Sequence, residues 1–315
     1  MGLHTLVGTE KMISFDFLIT LKAKEEHVRL VSPIPCMLKG VEHKLININN
    51  YEHLVDAVAG STVVYMLVLF PVEKEEFVRD CLNMMRNVIN ASKEARAKFI
   101  YLDQAYVNRE ISGIISEDNM YDPTGLSGKT HAKMAEMLQN EMREGTIKAA
   151  IARTTDFFGP GCPTYSKINR FIFDNLQQKR RAIWSVDVHT IRTFNYFPDI
   201  ARALYVLGTN KSAIGQLWHM PAASPGISVS ELIQLASLYM NASEKPLIIP
   251  TWLLQAMQPF NHWFKSLYET SCKNDNSFIF NSSKFENTFN FLPTPYGISI
   301  KATAEWYQNL PEIYR

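Results

Sequence analysis

The chain has 315 residues, 46% of them hydrophobic and 20% charged, with a formal net charge of +1. That is enough apolar material for one large domain or one and a half. The near-neutral charge, with no long basic or acidic block, excludes nucleic acid or an anionic membrane surface as the main partner. No apolar run approaches the ~20 residues of a transmembrane helix, and no basic, apolar and cleavable leader opens the chain, so a cytoplasmic protein is expected. Cys36, Cys81, Cys162 and Cys272 are far apart and form no CxxC; reduced thiols are expected rather than disulfides or a metal site.

The first element is the stretch His4–Lys22. Thr5, Leu6 and Val7 read as a strand, Gly8 as a turn, and the run from Ile13 to Ile19 as a helix. Val28–Val31 is a second strand, stopped by Ser32-Pro33-Ile34-Pro35, and His43–Ile48 a third. A short helix follows over 50–58, with Asn50 as its N-cap and Gly60 as its stop. Thr62–Leu69 is continuously apolar, as in a parallel strand buried on both faces. The period of Phe77, Cys81, Met84, Met85, Val88 and Ile89 predicts a helix over 77–95. Lys98–Leu102 is the fifth strand, 127–143 a second long helix and Ile147–Ala152 the sixth strand.

Strands alternating with helices at this spacing predict an α/β protein with a doubly wound parallel sheet, whose ligands bind along the C-terminal edge. The alternation weakens after about residue 155. Helices are expected over 166–178, 198–208, 228–241, 250–268 and 283–289, with short strands at 181–185, 192–197 and 278–280. The expected organisation is a dinucleotide-binding-like domain over 1–155, to which 190–210 returns, and a smaller, mostly helical substrate-binding-like lobe over 156–315.

Several pieces, in the right order, resemble the extended short-chain dehydrogenase/reductase superfamily, and within it the NAD-dependent epimerase/dehydratase family. They are Asn87–Ala91 with Lys98–Leu102, the loop Asp156–Gly161, the segment Thr193–Ala203, and the C-terminal run through Asn281–Phe285, Phe291–Pro295 and Trp306-Tyr307. The resemblance implies a Rossmann-type sheet, NAD or NADP as cofactor, a small-molecule ligand at the sheet edge, and a homodimer paired through helices 77–95 and 127–143.

The family's functional positions carry over only in part. Its glycine-rich turn is GxxGxxG; here Gly8 holds the first place, while Lys11 and Ser14 hold the second and third. A side chain there obstructs the backbone's approach to a pyrophosphate. Lys11 reads as a solvated loop lysine, with direct contact to a phosphate as the alternative. Ile13 opens the helix behind the turn. The ribose-recognising place after the second strand falls at Ser32 or Pro33, and the family's Asp after the third strand aligns with Asn47. The family's YxxxK dyad becomes Ser127 and His131, and its strand-end hydroxyl becomes Gln104, beside Asp103. An unactivated serine cannot replace a phenol of pKa ~10 as an acid near neutral pH. Tyr101, Tyr106 and Tyr121 lie nearby, none followed by a lysine four residues on.

Ser127, His131 and Asp103 also invite a hydrolase reading. No GxSxG elbow surrounds the serine, so the plainer expectation is that Ser127 caps its helix and His131 is a partly buried neighbour. His43, His53, His189 and His219 are scattered and predict no metal site. The aromatics from Trp252 to Tyr268 read as packing before they read as a pocket lining, and Arg192 and Arg202 as solvated charge. The expected function is a divergent family member that binds a small molecule with little or no hydride transfer. The alternative is a working NAD(P)-dependent epimerase or reductase, acting on a sugar-nucleotide-like or other small carbonyl substrate, with Gln104, Ser127 and His131 around the reacting carbon.

Overall fold

The computed structural model describes residues 2–8, 13–35, 40–67, 72, 74–105, 113–119, 123, 125–162, 166–185, 187–257 and 278–309. Seven parallel strands form the main sheet: β1 (Leu3–Val7), β2 (His27–Ser32), β3 (Glu42–Leu45), β4 (Val63–Met66), β5 (Lys98–Gln104), β6 (Ala149–Thr154) and β7 (Leu217–His219). Their spatial order is β7-β6-β5-β4-β1-β2-β3. The reversal of direction between β1 and β4 is the doubly wound, Rossmann-type pattern.

The central strands are apolar because both of their faces are covered. Every residue of β4 and of β6 is buried, as a parallel strand between two helical layers requires. On one face Val7, Val31, Val64, Met66, Phe99, Tyr101 and Ile151 pack against Leu54, Val58, Met85, Val88 and Leu138 from the helices Tyr51–Val58, Glu75–Glu94 and Leu126–Arg143. Each fully buried side chain of this kind contributes about 1.5–3 kcal/mol of transfer free energy. Asn50 caps the first of these helices by accepting from the His53 backbone N–H at 3.1 Å, and Gly60 follows at φ +76°.

The other face is more polar. Phe17, on helix Ile13–Ala23, meets the Tyr65 ring edge-on at 4.7 Å between centroids. Tyr65 runs on to the helix Phe197–Thr209, where it occupies the space a side chain at Gly208 would fill. Lys98 caps the same helix, its Nζ donating to the carbonyls of Leu207 (3.3 Å) and Asn210 (2.8 Å), a favourable place for a cation on a helix C-terminus.

The chain divides into two compact units. The first comprises 1–105, 121–154 and 200–220; the second comprises 106–120, 155–199 and 221–315. The segment that returns to the first unit thus runs to 220, because it carries β7, which pairs with β6 through Leu217–Ile151 and His219–Arg153. Within the second unit, Phe158, Phe173, Trp184, Phe194, Leu232 and Tyr307 share a core. Helix Val229–Met240 starts with a capping box, Ser228 and Glu231 each satisfying the other's backbone N–H. Asn169 opens a π-helical turn and reads both backbone groups of Gly159, accepting from its N–H at 3.2 Å and donating to its carbonyl at 2.8 Å.

Several expectations change. The third strand ends at Leu45, because Asn47 turns the chain by accepting from the Asn49 backbone N–H. The segment 192–197 is two strands, Ile191–Arg192 and Asn195–Tyr196. Elements not foreseen include β7, the strands Gly113–Ile115, Phe157–Phe158, Ile227–Ser228 and Leu247–Ile248, and the helix Tyr296–Gln308. Trp252 is 69% exposed, so it is not packed; Phe260, Trp263, Phe264 and Tyr268 lie outside the described residues. Cys81 and Cys162 are buried free thiols, and burial pushes the Cys81 thiol up to about 11. Among the described residues no helix is long and apolar enough to cross a membrane.

Gly208 gives a decisive test of the polar face. In an open helix interior Gly→Ala stabilises by about 1 kcal/mol. Here the new Cβ would stand 1.8 Å from the Tyr65 hydroxyl oxygen and 2.8 Å from Cζ. Gly208→Ala is therefore expected to destabilise by about 1–3 kcal/mol in denaturant unfolding, with partial recovery in the Gly208→Ala/Tyr65→Phe double variant.

Candidate functional site

The C-terminal ends of β1, β2, β4, β5 and β6 lie along one edge of the first unit, and of the sequence-derived candidates Gly8 follows β1, Ser32 ends β2 and Gln104 ends β5. Gly8 follows β1 at φ +80°, where a glycine turns the chain without strain. Its N–H donates to the Val31 carbonyl at 3.1 Å, tying the ends of β1 and β2. Ile13 is the first residue of the following helix. Lys11 lies outside the described residues.

Ser32 and Asn47 are the residues that the sequence resemblance sets against the adenosine half of a cofactor. Ser32 is 1% exposed. Its hydroxyl donates to the Ile34 carbonyl, accepts from the Ile34 N–H at 3.1 Å, and lies 3.5 Å from His43 Nε2. That hydroxyl closes its own loop. Asn47 is exposed, its Oδ1 accepting from the Asn49 N–H. The glycine turn fits a dinucleotide at its first position, whereas Ser32 offers neither a free acceptor nor a charge.

Ser127 and His131, expected from the sequence at the family's dyad positions, each have a partner of their own. Ser127 is the second residue of helix Leu126–Arg143, whose N-cap is Gly125. It is therefore not the cap expected from the sequence; its Oγ accepts from the Val72 backbone N–H at 3.1 Å. His131, one turn on, is 1% exposed, more deeply buried than expected, and its Nδ1 lies 3.2 Å from the hydroxyl of Tyr101, itself 0% exposed. Gln104, half-buried, ends β5.

Asp103 completes the edge differently. It pairs in register with Arg153 on β6, which pairs in register with His219 on β7, so the three project from one face of adjacent strands. All three are buried. Arg153 Nε donates to Asp103 Oδ2 at 2.8 Å, and Asp103 Oδ1 has no hydrogen-bond partner. Ser127, His131 and Asp103 thus each answer to a different group, and no hydrolytic triad is assembled. The sequence signal for this row was an arginine closing the apolar run Ala149–Ala152, which the sequence reading passed over.

In the second unit Arg192 is 1% exposed, so the expectation of solvated charge fails there. Its carbonyl is approached closely by Gly226, where a Cβ would lie 2.5 Å from it. Among the described residues there is no group of three or more His, Cys, Asp or Glu able to hold a metal.

The sequence matches the NAD dependent epimerase/dehydratase family over residues 20–219. No curated protein matches by sequence. Among solved structures, the UDP-glucuronic acid 4-epimerase of Bacillus cereus, in complex with NAD, superposes with a TM-score of 0.79 at 17% identity, covering 98% of this chain and 100% of that one. The UDP-glucose 4-epimerase of Thermotoga maritima, with UDP-glucose, gives 0.79 at 14%, covering 98% and 99%. A dTDP-glucose 4,6-dehydratase double mutant from Streptomyces venezuelae, with NAD bound, gives 0.78 at 13%, covering 98% of each. At these identities the likeness is one of fold.

The Asp103–Arg153 pair predicts a definite pattern of stabilities. Asp103→Ala removes the counter-charge of a buried guanidinium and is expected to cost about 3–5 kcal/mol. Replacing both partners, as Asp103→Leu/Arg153→Met, is expected to recover most of that loss in chemical denaturation.

Proposed function

The chain belongs to the NAD-dependent epimerase/dehydratase family, and within it we propose a divergent member that binds a small molecule of the nucleotide-sugar kind and does not carry out hydride transfer. One observation carries the second half of this reading: the two dyad positions are spent on structure. In a working site of this family the helix supplies a phenol that exchanges a proton with the substrate and, four residues on, an ammonium that lowers the phenol's pKa. Here Ser127 holds the Val72 backbone and His131 faces Tyr101 inside the core. Neither side chain is left to move a proton at a sugar carbon.

The cofactor fits by halves. Gly8 and the helix opening at Ile13 suit the pyrophosphate end of NAD or NADP, which would supply hydride chemistry if bound. Ser32 and Asn47 provide only an occupied hydroxyl and a neutral amide for the adenosine end. At the nicotinamide end, Ser127 and His131 provide no group for the ribose. A small-molecule ligand at the strand ends, held without redox chemistry, is the reading these residues support. The relatives solved with UDP-glucose and UDP-glucuronic acid supply the ligand class to try first. A homodimer through the helices Glu75–Glu94 and Leu126–Arg143 is part of the same proposal, to be read from the mass in solution.

Thermal-shift titration separates the two halves. UDP-glucose or UDP-glucuronic acid is expected to stabilise the fold saturably, by about 2.7 kcal/mol at a hundred times its Kd. Incubation of the same sugars with NAD is expected to give neither epimer nor NADH. Epimer formation above the protein-free control would overturn the non-catalytic reading; flat titrations with every nucleotide sugar would overturn the ligand class.

A further inference from the structure

At the opposite, N-terminal end of the sheet lies a cluster of polar side chains that the proposed ligand site does not use. His4, Val63 and Lys98 stand in register on β1, β4 and β5. His4 is 3% exposed and is stacked between two tyrosine rings, Tyr65 at 5.7 Å and 18° and Tyr205 at 6.2 Å and 22°. Its Nδ1 lies 3.0 Å from the Tyr65 hydroxyl and its Nε2 3.7 Å from Glu26 Oε2. Glu26 accepts from the Gly2 N–H at 2.9 Å and from the Tyr205 hydroxyl at 3.4 Å. Lys24 lies over the outer side of the Tyr205 ring at 5.9 Å. The cluster thus joins β1, β4, β5, the turn after helix Ile13–Ala23, and the returning helix Phe197–Thr209.

We propose that His4 is an acid-operated latch: neutral, it locks β1 and the returning helix onto the sheet; protonated, it releases them. The carboxylate of Glu26 beside Nε2 favours the tautomer with its proton there, which leaves Nδ1 to accept the Tyr65 phenol hydrogen. A second proton on the ring turns Nδ1 into a donor. Nδ1 then donates to the Tyr65 oxygen, and the phenol hydrogen loses its acceptor beside the backbone at Gly208. An unsatisfied buried hydroxyl is costly, and the parts that can yield are the short strand and the helix lying over Tyr65.

The charges around the ring set the direction. Burial lowers the His4 pKa below 6.5; Glu26 opposes that shift, while Lys98 and the N-terminal amine reinforce it. Glu26 itself is held below the usual carboxylate range, chiefly by the Gly2 N–H, so it stays ionised through the window. Tyr65 and Tyr205 are both shifted upward by burial and remain neutral. Because the folded pKa lies under the unfolded one, the open state binds more protons between them. The latch is therefore fully closed above about pH 6.5, and opening rises by up to about tenfold per pH unit below it, until His4 titrates in the closed state.

Native-state hydrogen exchange at pH 7.5 and pH 5.5, corrected for intrinsic rates, tests this on the full chain. Protection over 3–7 and 200–209 is expected to fall selectively in the wild type. In His4→Gln, whose amide accepts from Tyr65 without titrating, protection there should not change with pH. Glu26→Gln, which lowers the closed-state pKa further, should let the loss of protection continue to lower pH, with a fall at pH 5.5 at least as large as in the wild type. An equal fall in His4→Gln, or a fall spread evenly over the sheet, would overturn the latch. Should His4→Gln fail to fold, NMR titration of the wild-type imidazole decides: a His4 that titrates at or above 6.5 with no coupled loss of protection overturns it equally.

Discussion

A parallel sheet covered on both faces leaves a polar side chain very little freedom: once inside, it must find a partner there. Each buried strand residue that is not apolar in the first unit answers to this rule. Thr5 and Ser61 share a hydroxyl contact of 2.7 Å. His4 takes Tyr65, Tyr101 takes His131, and Arg153 takes Asp103. His4 with Tyr65 lies toward the N-terminal end of the sheet and Asp103 with Arg153 at the C-terminal end, while Tyr101 meets His131 from the middle of β5. The same rule makes each pair an obligation, since removing one member strands the other at a cost well above the bond's net worth.

The same constraint bears on positions 127 and 131. In this fold the helix at 126–143 packs on β5, so whatever stands at 127 and 131 either points along the ligand edge or turns into the core. A histidine at 131 is short enough to be drawn to the Tyr101 phenol in the core. A serine at 127 is short enough to serve a neighbouring backbone N–H at Val72.

The long elements were legible because periodicity carried them. The apolar stripe of 77–95 and the continuous run at 62–69 each specify a burial pattern with no plausible competitor, and both stand as helix and strand within two or three residues at the ends described. What escaped was short or cooperative. β7 has three residues, Leu217–His219, and exists only because β6 offers it an edge. The strand Gly113–Ile115 likewise exists by pairing with Phe278–Phe280. Arg192 could not be told from a surface arginine, since its burial depends on chain segments far away in sequence that lie beside it, at Gly226 and Phe278.

The site was readable as a list of positions but not as a set of contacts. Sequence spacing places Ser127 and His131 on one helix face, and it places Asp103 beside Gln104. It says nothing of which neighbour each will choose, and three side chains that read together as a triad chose three different partners. Asp103 shows why. On β5 its carboxylate stands in register with Arg153 and accepts from the guanidinium at 2.8 Å in a water-poor interior, a charge-assisted bond. Strand register, fixed by the whole sheet, therefore decides the chemistry available at its edge, and here it commits Asp103 to holding β5 and β6 together.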